Sequence, residues 1–224
     1  MFVTAIIANP RRNGRFDVVV DGSVAATLSL EAIERLQLSV GAIVDDRLGA
    51  ALQRETSVVA TYDRALNMIA LRARSSVELR RLLIRKGEPA EYVEVAIERL
   101  TRAGFLDDAS FAKQFTRTKA VGAGLSRRRV QQELARRGVA RDVTEAAVAE
   151  VFEEERIDEE GTLERVARKK LKSLARLDVA VQRRRLYAFL ARRGYDSDDI
   201  VRALRSVLSS DHAADARASE GGAI

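Results

Sequence analysis

Three stretches of this 224-residue chain spell one pattern: Leu79-Arg-Arg-Leu-Leu-Ile-Arg-Lys-Gly87, Val130-Gln-Gln-Glu-Leu-Ala-Arg-Arg-Gly138 and Leu186-Tyr-Ala-Phe-Leu-Ala-Arg-Arg-Gly194. Each reads as an amphipathic helix end: an apolar residue, a Leu four positions on, a basic pair, then Gly as the left-handed residue that stops the helix. The glycines stand 51 and 56 residues apart. Self-similarity at a near-fixed period of this size specifies a repeat architecture. The register extends beyond the glycines. Counted from each Gly, positions +9, +10 and +13 are apolar in all three units: Ala96, Ile97, Leu100; Ala147, Val148, Val151; Ala203, Leu204, Val207.

Each unit contains three helical patterns. The first unit has Tyr62, Ala65, Leu66 and Ile69, then a helix opened by the capping box Ser75-x-x-Glu78, then Val93 to Leu100. In the second, Asp107 or Asp108 caps a helix carrying Phe111, Ala112 and Phe115, and Ser126 caps the next. In the third, Leu163 to Leu174 precedes the Gly194 helix, and Ser197 caps the last. Before the repeats, Phe2–Ala8, Arg15–Val20 and Val24–Leu28 read as short strands, with a hairpin turn at Asp21-Gly22. Strands this few need a helix to pack on; Leu30–Leu36, capped by Ser29, follows them. The fold expected is mainly α: an elongated array of three tandem three-helix, helix-turn-helix-like repeats with a small N-terminal α/β segment. Its parts are an extension over 1–58, repeats over 59–104, 105–156 and 157–208, and a disordered tail over 209–224.

Composition narrows the chemistry. Cysteine is absent and the one histidine, His212, lies in the polar tail, so thiolate, His-relay and Cys- or His-ligated metal chemistry are disfavoured. No phosphate-loop pattern occurs; Gly122-Ala-Gly124 is too sparse. Asp107-Asp108 reads as a helix start and Glu153-Glu154-Glu155 as a solvated run. No catalytic residue, cofactor, metal or small-molecule substrate is expected. The absence of a long apolar run or leader pattern points to a cytoplasmic protein that does not enter membranes.

The net charge of +6 is unevenly placed: residues 61–209 carry 32 basic and 23 acidic side chains, and all but six of the 39 basic residues are Arg. The candidate contacts for an anionic partner are Arg80, Arg81 and Arg85; Arg127, Arg128, Arg129 and Arg136; Arg165, Arg168, Lys169 and Lys172; and Arg184, Arg185 and Arg192. The basic pairs before each Gly also complement the helix dipole, which explains them locally. The runs Arg127–Arg129 and Arg183–Arg185 sit near expected helix starts, where positive charge opposes the dipole and invites an external explanation. Phe105, Phe111, Phe115, Phe152 and Phe189 fit core positions and do not interleave with these charges. Contacts to nucleic acid would then be to its backbone and steeply salt-dependent.

These motifs carry a family likeness over about 60–208. Arg74-Ser75-x-x-Glu78-Leu79-Arg80-x-x-Leu83-x-x-Lys86-Gly87 resembles the opening motif of the RecX family of recombinase regulators. Gly104-Phe105-Leu106-Asp107-Asp108-x-x-Phe111-Ala112, the most specific of the set, resembles the next. Gly124-Leu-Ser-Arg-Arg-Arg-Val130-x-x-Glu133-Leu134-x-x-Arg137-Gly138 and Phe189-Leu190-x-Arg192-Arg193-Gly194-Tyr195 follow in order. One departure is Glu88-Pro89, where the family usually has an apolar residue. The resemblance implies an all-α array of three repeats that binds the RecA–DNA filament and suppresses its ATPase, strand-exchange and coprotease activities. That makes it a negative modulator of recombination and the SOS response without catalysis of its own. Single- or double-stranded DNA is expected to bind weakly and without sequence preference. The alternative is a general DNA-binding or transcriptional regulator built from tandem helix-turn-helix-like units.

Overall fold

A computed structural model of the chain describes residues 1–220, with side chains through residue 209. The protein is mainly α, with three three-helix repeats after a small sheet. It divides into two compact units, Met1–Asp107 and the chain from Asp108 onward.

The first unit opens with a three-stranded antiparallel sheet in the order β1 (Val3–Ala8), β2 (Arg15–Val20), β3 (Ser23–Ser29). The β2–β3 turn takes positive φ at both Asp21 and Gly22, as a two-residue hairpin requires. One face of the sheet buries Val3, Val18, Ala26 and Leu28. These pack with Ala32 and Ile33 of α1 (Leu30–Arg35) and Leu52 of α2 (Asp46–Leu71). Ser29 caps α1, its hydroxyl accepting from the Ala32 amide at 3.2 Å.

Residue 58, placed above at the end of the extension, lies inside α2, a helix of 26 residues. No Gly or Pro interrupts it after Gly49, so the segment that supports the sheet and the segment that opens the first repeat are one helix. Ion pairs tie these parts together. Arg15 of β2 meets Asp63 at 2.6 Å. Glu55, 8% exposed, is held by Arg35 of α1 at 2.5 Å and by Arg99 of α4 (Ala90–Arg102) at 2.6 Å.

The second half of α2, α3 (Ser76–Arg85) and α4 enclose Ala65, Leu79, Leu83, Val93, Ile97, Leu100 and Leu106. At the end of α3, Gly87 has φ +90° and the amide of Glu88 returns to the carbonyl of Leu83 at 3.1 Å. This is the double-bonded glycine stop, and Val139 makes the same bond to Leu134 in the next repeat. The Glu88 departure from the family pattern thus keeps the backbone motif. Its carboxylate, 8% exposed, accepts from the Thr61 hydroxyl at 2.7 Å and pairs with Arg64. Phe105 is not a core residue: it follows Gly104 and is 58% exposed, while Leu106 fills the core position.

In the second unit, α5 (Asp108–Thr116) continues into a π-helical segment, Arg117–Gly122, followed by α6 (Arg127–Arg136) and α7 (Arg141–Glu154). The third repeat comprises α8 (Glu159–Lys172), α9 (Val179–Arg192) and α10 (Ser197–Glu220). Leu79, Val130 and Leu186 are fully buried at equivalent positions, as are Leu83, Leu134 and Leu190. The backbone from 209 to 220, expected to be disordered, continues α10. Its Ala-rich sequence contains no Gly or Pro before Gly221, so nothing local stops the helix. Ser197 is the first residue of α10 rather than its cap, and residues 221–224 lie outside those described.

Candidate partner-binding surface

The candidate cations fall into two groups once their neighbours are known. In the first, the protein itself supplies the counter-charge. Arg80 makes a two-pronged contact with Glu94 at 2.6 and 2.9 Å, whose hydrogen bonds hold the Glu94 carboxyl below its ordinary range. Arg127–Arg129 form the first turn of α6, where their charge opposes the helix dipole. The compensation is internal. Glu159, at the start of α8, accepts the Arg127 amide at 2.8 Å. Asp196, just before α10, pairs with Arg128 at 3.2 Å, and Glu133 with Arg129 at 3.3 Å. Arg127 also lies over the Phe152 ring at 4.3 Å.

These pairs belong to a tightly built junction between the second and third repeats. The Ser126 amide donates to the Arg193 carbonyl at 3.0 Å. The Tyr195 hydroxyl, buried, donates to the Gly124 carbonyl at 3.2 Å. Burial, followed by the field of Glu159, pushes the Tyr195 pKa up to about 12. Two glycines permit the approach. A Cβ on Gly124 would stand 2.4 Å from Val166 Cγ2, and one on Gly194 would stand 2.5 Å from Arg129 Cβ.

In the second group, no carboxylate lies within ion-pair distance among the described residues. It comprises Arg81 and Arg85 on α3, Arg136 on α6, Arg165, Lys169 and Lys172 on α8, and Arg184, Arg185 and Arg192 on α9, all exposed. Arg168 completes the α8 set and pairs with Glu164 on its own helix, at 3.1 Å. Residues 165, 168, 169 and 172 fall at i, i+3, i+4 and i+7, so they share one helix face. The dipole argument does not reach Arg183–Arg185. Because α9 begins at Val179, the run lies beyond its first turn, where the dipole has faded.

Aromatics do underlie cations, contrary to expectation. Phe115 carries Lys119 and Arg137 at 5.4 and 4.4 Å, and Phe189 carries Lys170 and Arg193 at 5.7 and 4.5 Å. A ring can fill a core edge and still present a face to a long basic side chain. Desolvation lowers the Arg193 pKa, the field of Tyr195 opposing it.

Among the described residues no group of His, Cys, Asp or Glu is placed to hold a metal, and no helix is long and apolar enough to cross a membrane.

Comparison with known proteins fits this architecture. Models of the first, second and third three-helix domains of RecX match residues 62–100, 107–148 and 158–204. The chain is 40% identical over 129 residues to a regulatory protein RecX of Amycolatopsis mediterranei, covering 58% of this chain and 72% of that one. It is 37% identical over 144 residues to that of Pelodictyon phaeoclathratiforme, covering 64% and 86%. It is 30% identical over 198 residues to that of Levilactobacillus brevis, covering 88% and 73%. A crystal structure of a regulatory protein RecX shares the fold with a TM-score of 0.70 at 19% identity, covering 88% of this chain and 96% of that one.

Proposed function

The chain belongs to the RecX family of regulatory proteins, and from that premise we propose that it is a cytoplasmic, non-catalytic negative modulator of RecA. It binds the RecA–DNA filament and depresses its ATPase, strand-exchange and coprotease activities in recombination and the SOS response. The observation that supports a binding role is the α8 face. Arg165, Arg168, Lys169 and Lys172 place four cations along about 10 Å of helix axis, and among the described residues only Arg168 has a carboxylate partner. A row of this kind suits acidic protein surface and phosphates alike, reading no sequence. Differential affinity for one filament state then shifts assembly or turnover toward that state.

The rival, a sequence-reading helix-turn-helix regulator, would place the last helix of a bundle in the major groove. The composition of α7 argues against it: Arg141 is its one basic residue, against Asp142, Glu145, Glu150, Glu153 and Glu154. The test is the ATPase of RecA on single-stranded DNA with this protein titrated in. Inhibition well below equimolar ratio is expected if it acts at filament ends, and near equimolar ratio if it acts along the groove. Unchanged turnover at saturation would remove the proposal.

A further inference from the structure

The repeat register exposes a surface that its own precedent says should be covered. Counted from Gly138 and Gly194, the residues Gly124, Arg127, Arg128 and Gln131 of the second repeat correspond to Ala180, Arg183, Arg184 and Tyr187 of the third. On the second repeat this face is occupied: Tyr195 reaches the Gly124 carbonyl, Glu159 takes the Arg127 amide and Asp196 takes Arg128. On the third repeat the equivalent face is a groove of about 660 Å³ between α9 and α10. It is lined by Val179, Ala180, Tyr187, Val201 and Leu204 and rimmed by Arg183 and Arg184. Val179 is 46% and Tyr187 37% exposed, and neither arginine has an ion-pair partner among the described residues.

The same residues decide what can sit there. A second copy of the chain cannot dock as the third repeat docks on the second. The segment ahead of α6, where Gly124 admits Val166 and an added Cβ would leave 2.4 Å, has no counterpart in the third repeat: α9 starts earlier and Ala180 lies in its first turn. The Ser126 amide that donates to the Arg193 carbonyl also has no free counterpart. The corresponding residue, Gln182, lies inside α9, buried, with its backbone amide donating to the Asp178 carbonyl at 2.8 Å. What persists is the chemistry: an apolar floor with two free guanidinium groups at its edge. We propose that this groove docks a short acidic segment of a partner protein, one that inserts an aromatic or aliphatic side chain beside Tyr187 and sets carboxylates against Arg183 and Arg184. The segment repeats what Tyr195, Asp196 and Glu159 present to the second repeat. This inference rests on the repeat geometry and not on the RecA reading, so peptide binding without any effect on RecA leaves it standing.

The probe is a fluorescent synthetic peptide with a Tyr-Leu centre flanked on both sides by Asp and Glu, read by anisotropy against the full chain at physiological salt. Saturable binding is expected. It should be lost in the Arg183→Glu/Arg184→Glu variant and weakened about tenfold or more by Tyr187→Ala, the effect of removing an anchor residue. Arg183 and Arg184 are exposed, so the charge variants should melt as the parent does; if the reversal perturbs folding, Arg183→Gln/Arg184→Gln carries the same expectation. Tyr187→Ala also removes a 3.0 Å hydrogen bond to the Ser197 hydroxyl, so Tyr187→Phe, which keeps the ring, should bind as the parent does. Equal binding by an Ala-Ala-centred peptide would overturn the proposal. So would undiminished binding to the charge variants, or no saturable binding at all. A single-stranded oligothymidylate that binds this face with Arg183 and Arg184 but indifferently to Tyr187→Ala, while the peptide fails, would assign the groove to polyanions instead.

Discussion

Gly87 and Gly194 end equivalent helices with the same backbone angle, φ +90° and +89°, yet replacing each by Ala should have different consequences. At Gly87 an added Cβ meets nothing within 4 Å. The substitution then costs only the strain of a side chain at positive φ, about 1–2 kcal/mol. At Gly194 the same Cβ would lie 2.5 Å from Arg129 Cβ, 2.6 Å from Ser126 Oγ and 3.2 Å from Arg129 Cα. The last of these is backbone, so a rotamer change alone cannot relieve the crowding. Overpacking of this kind adds about 1–3 kcal/mol. Relief by moving the third repeat away would loosen the Ser126–Arg193 hydrogen bond, at about 1 kcal/mol. Gly194→Ala should therefore cost about 3–6 kcal/mol against about 1–2 kcal/mol for Gly87→Ala. Because the two glycines lie in different compact units, a global melt would mix their transitions. Native-state amide exchange separates them, read at Leu83 for the first repeat and at Leu134 and Leu190 for the junction. Equal loss of protection in the two variants would refute the view that the second and third repeats are locked through Gly194.

Other consequences are local. Glu55→Gln should destabilise the first unit by about 2 kcal/mol, because half-buried Arg99 would keep its position without a full counter-charge; urea unfolding monitored by circular dichroism measures it. Burial raises the Glu55 pKa, but the hydrogen bonds and charges of Arg99 and Arg35 outweigh it and the net shift is downward. Its contribution is therefore complete above the ordinary Glu pKa of about 4.3 and is lost as the pH falls through the lower folded value. A Glu55→Gln protein should show a flatter acid limb than the parent. Tyr195 has the opposite sign. Its folded pKa lies above the ordinary tyrosine value, so its stabilising share holds below about pH 10 and is lost as the pH rises towards 12. A Tyr195→Phe variant should lose about 1 kcal/mol at neutral pH with the hydrogen bond to Gly124, and its alkaline limb should flatten. An alkaline limb identical to the parent's would contradict the burial of this phenol.

The repeats were legible because their signals are local. A Gly after a basic pair, a Leu four residues apart from its mate and a Ser before an apolar run each act within one or two turns. Leu79, Leu83 and Leu100 and their counterparts are accordingly buried where the register puts them. The junction was not legible, because its partners are far apart in the chain. Glu159 lies 32 residues from Arg127, and Tyr195 lies 71 from Gly124. No periodicity carries such pairings. For the same reason Arg127–Arg129, read as charges in need of an outside partner, have one inside, while Arg183–Arg185, read by the same rule, lie beyond the helix start and lack one among the described residues. Phe105 misled because the Gly104 turn hands the core to the next residue, Leu106. The strand extension and the first repeat looked separable at residue 58, but helix propensity alone sets no boundary within α2.

The most direct test of RecA modulation through the basic face of α8 compares two sets of changes in one assay. RecA ATPase on single-stranded DNA is titrated with the parent chain, with an Arg165→Glu/Lys169→Glu/Lys172→Glu variant, and with an Arg141→Glu control on α7. The exposed α8 changes should abolish inhibition while leaving the melt unchanged, and the control should inhibit as the parent does. Full inhibition by the α8 variant would contradict the assignment of that face, and no inhibition by the parent chain at saturation would contradict RecA modulation itself.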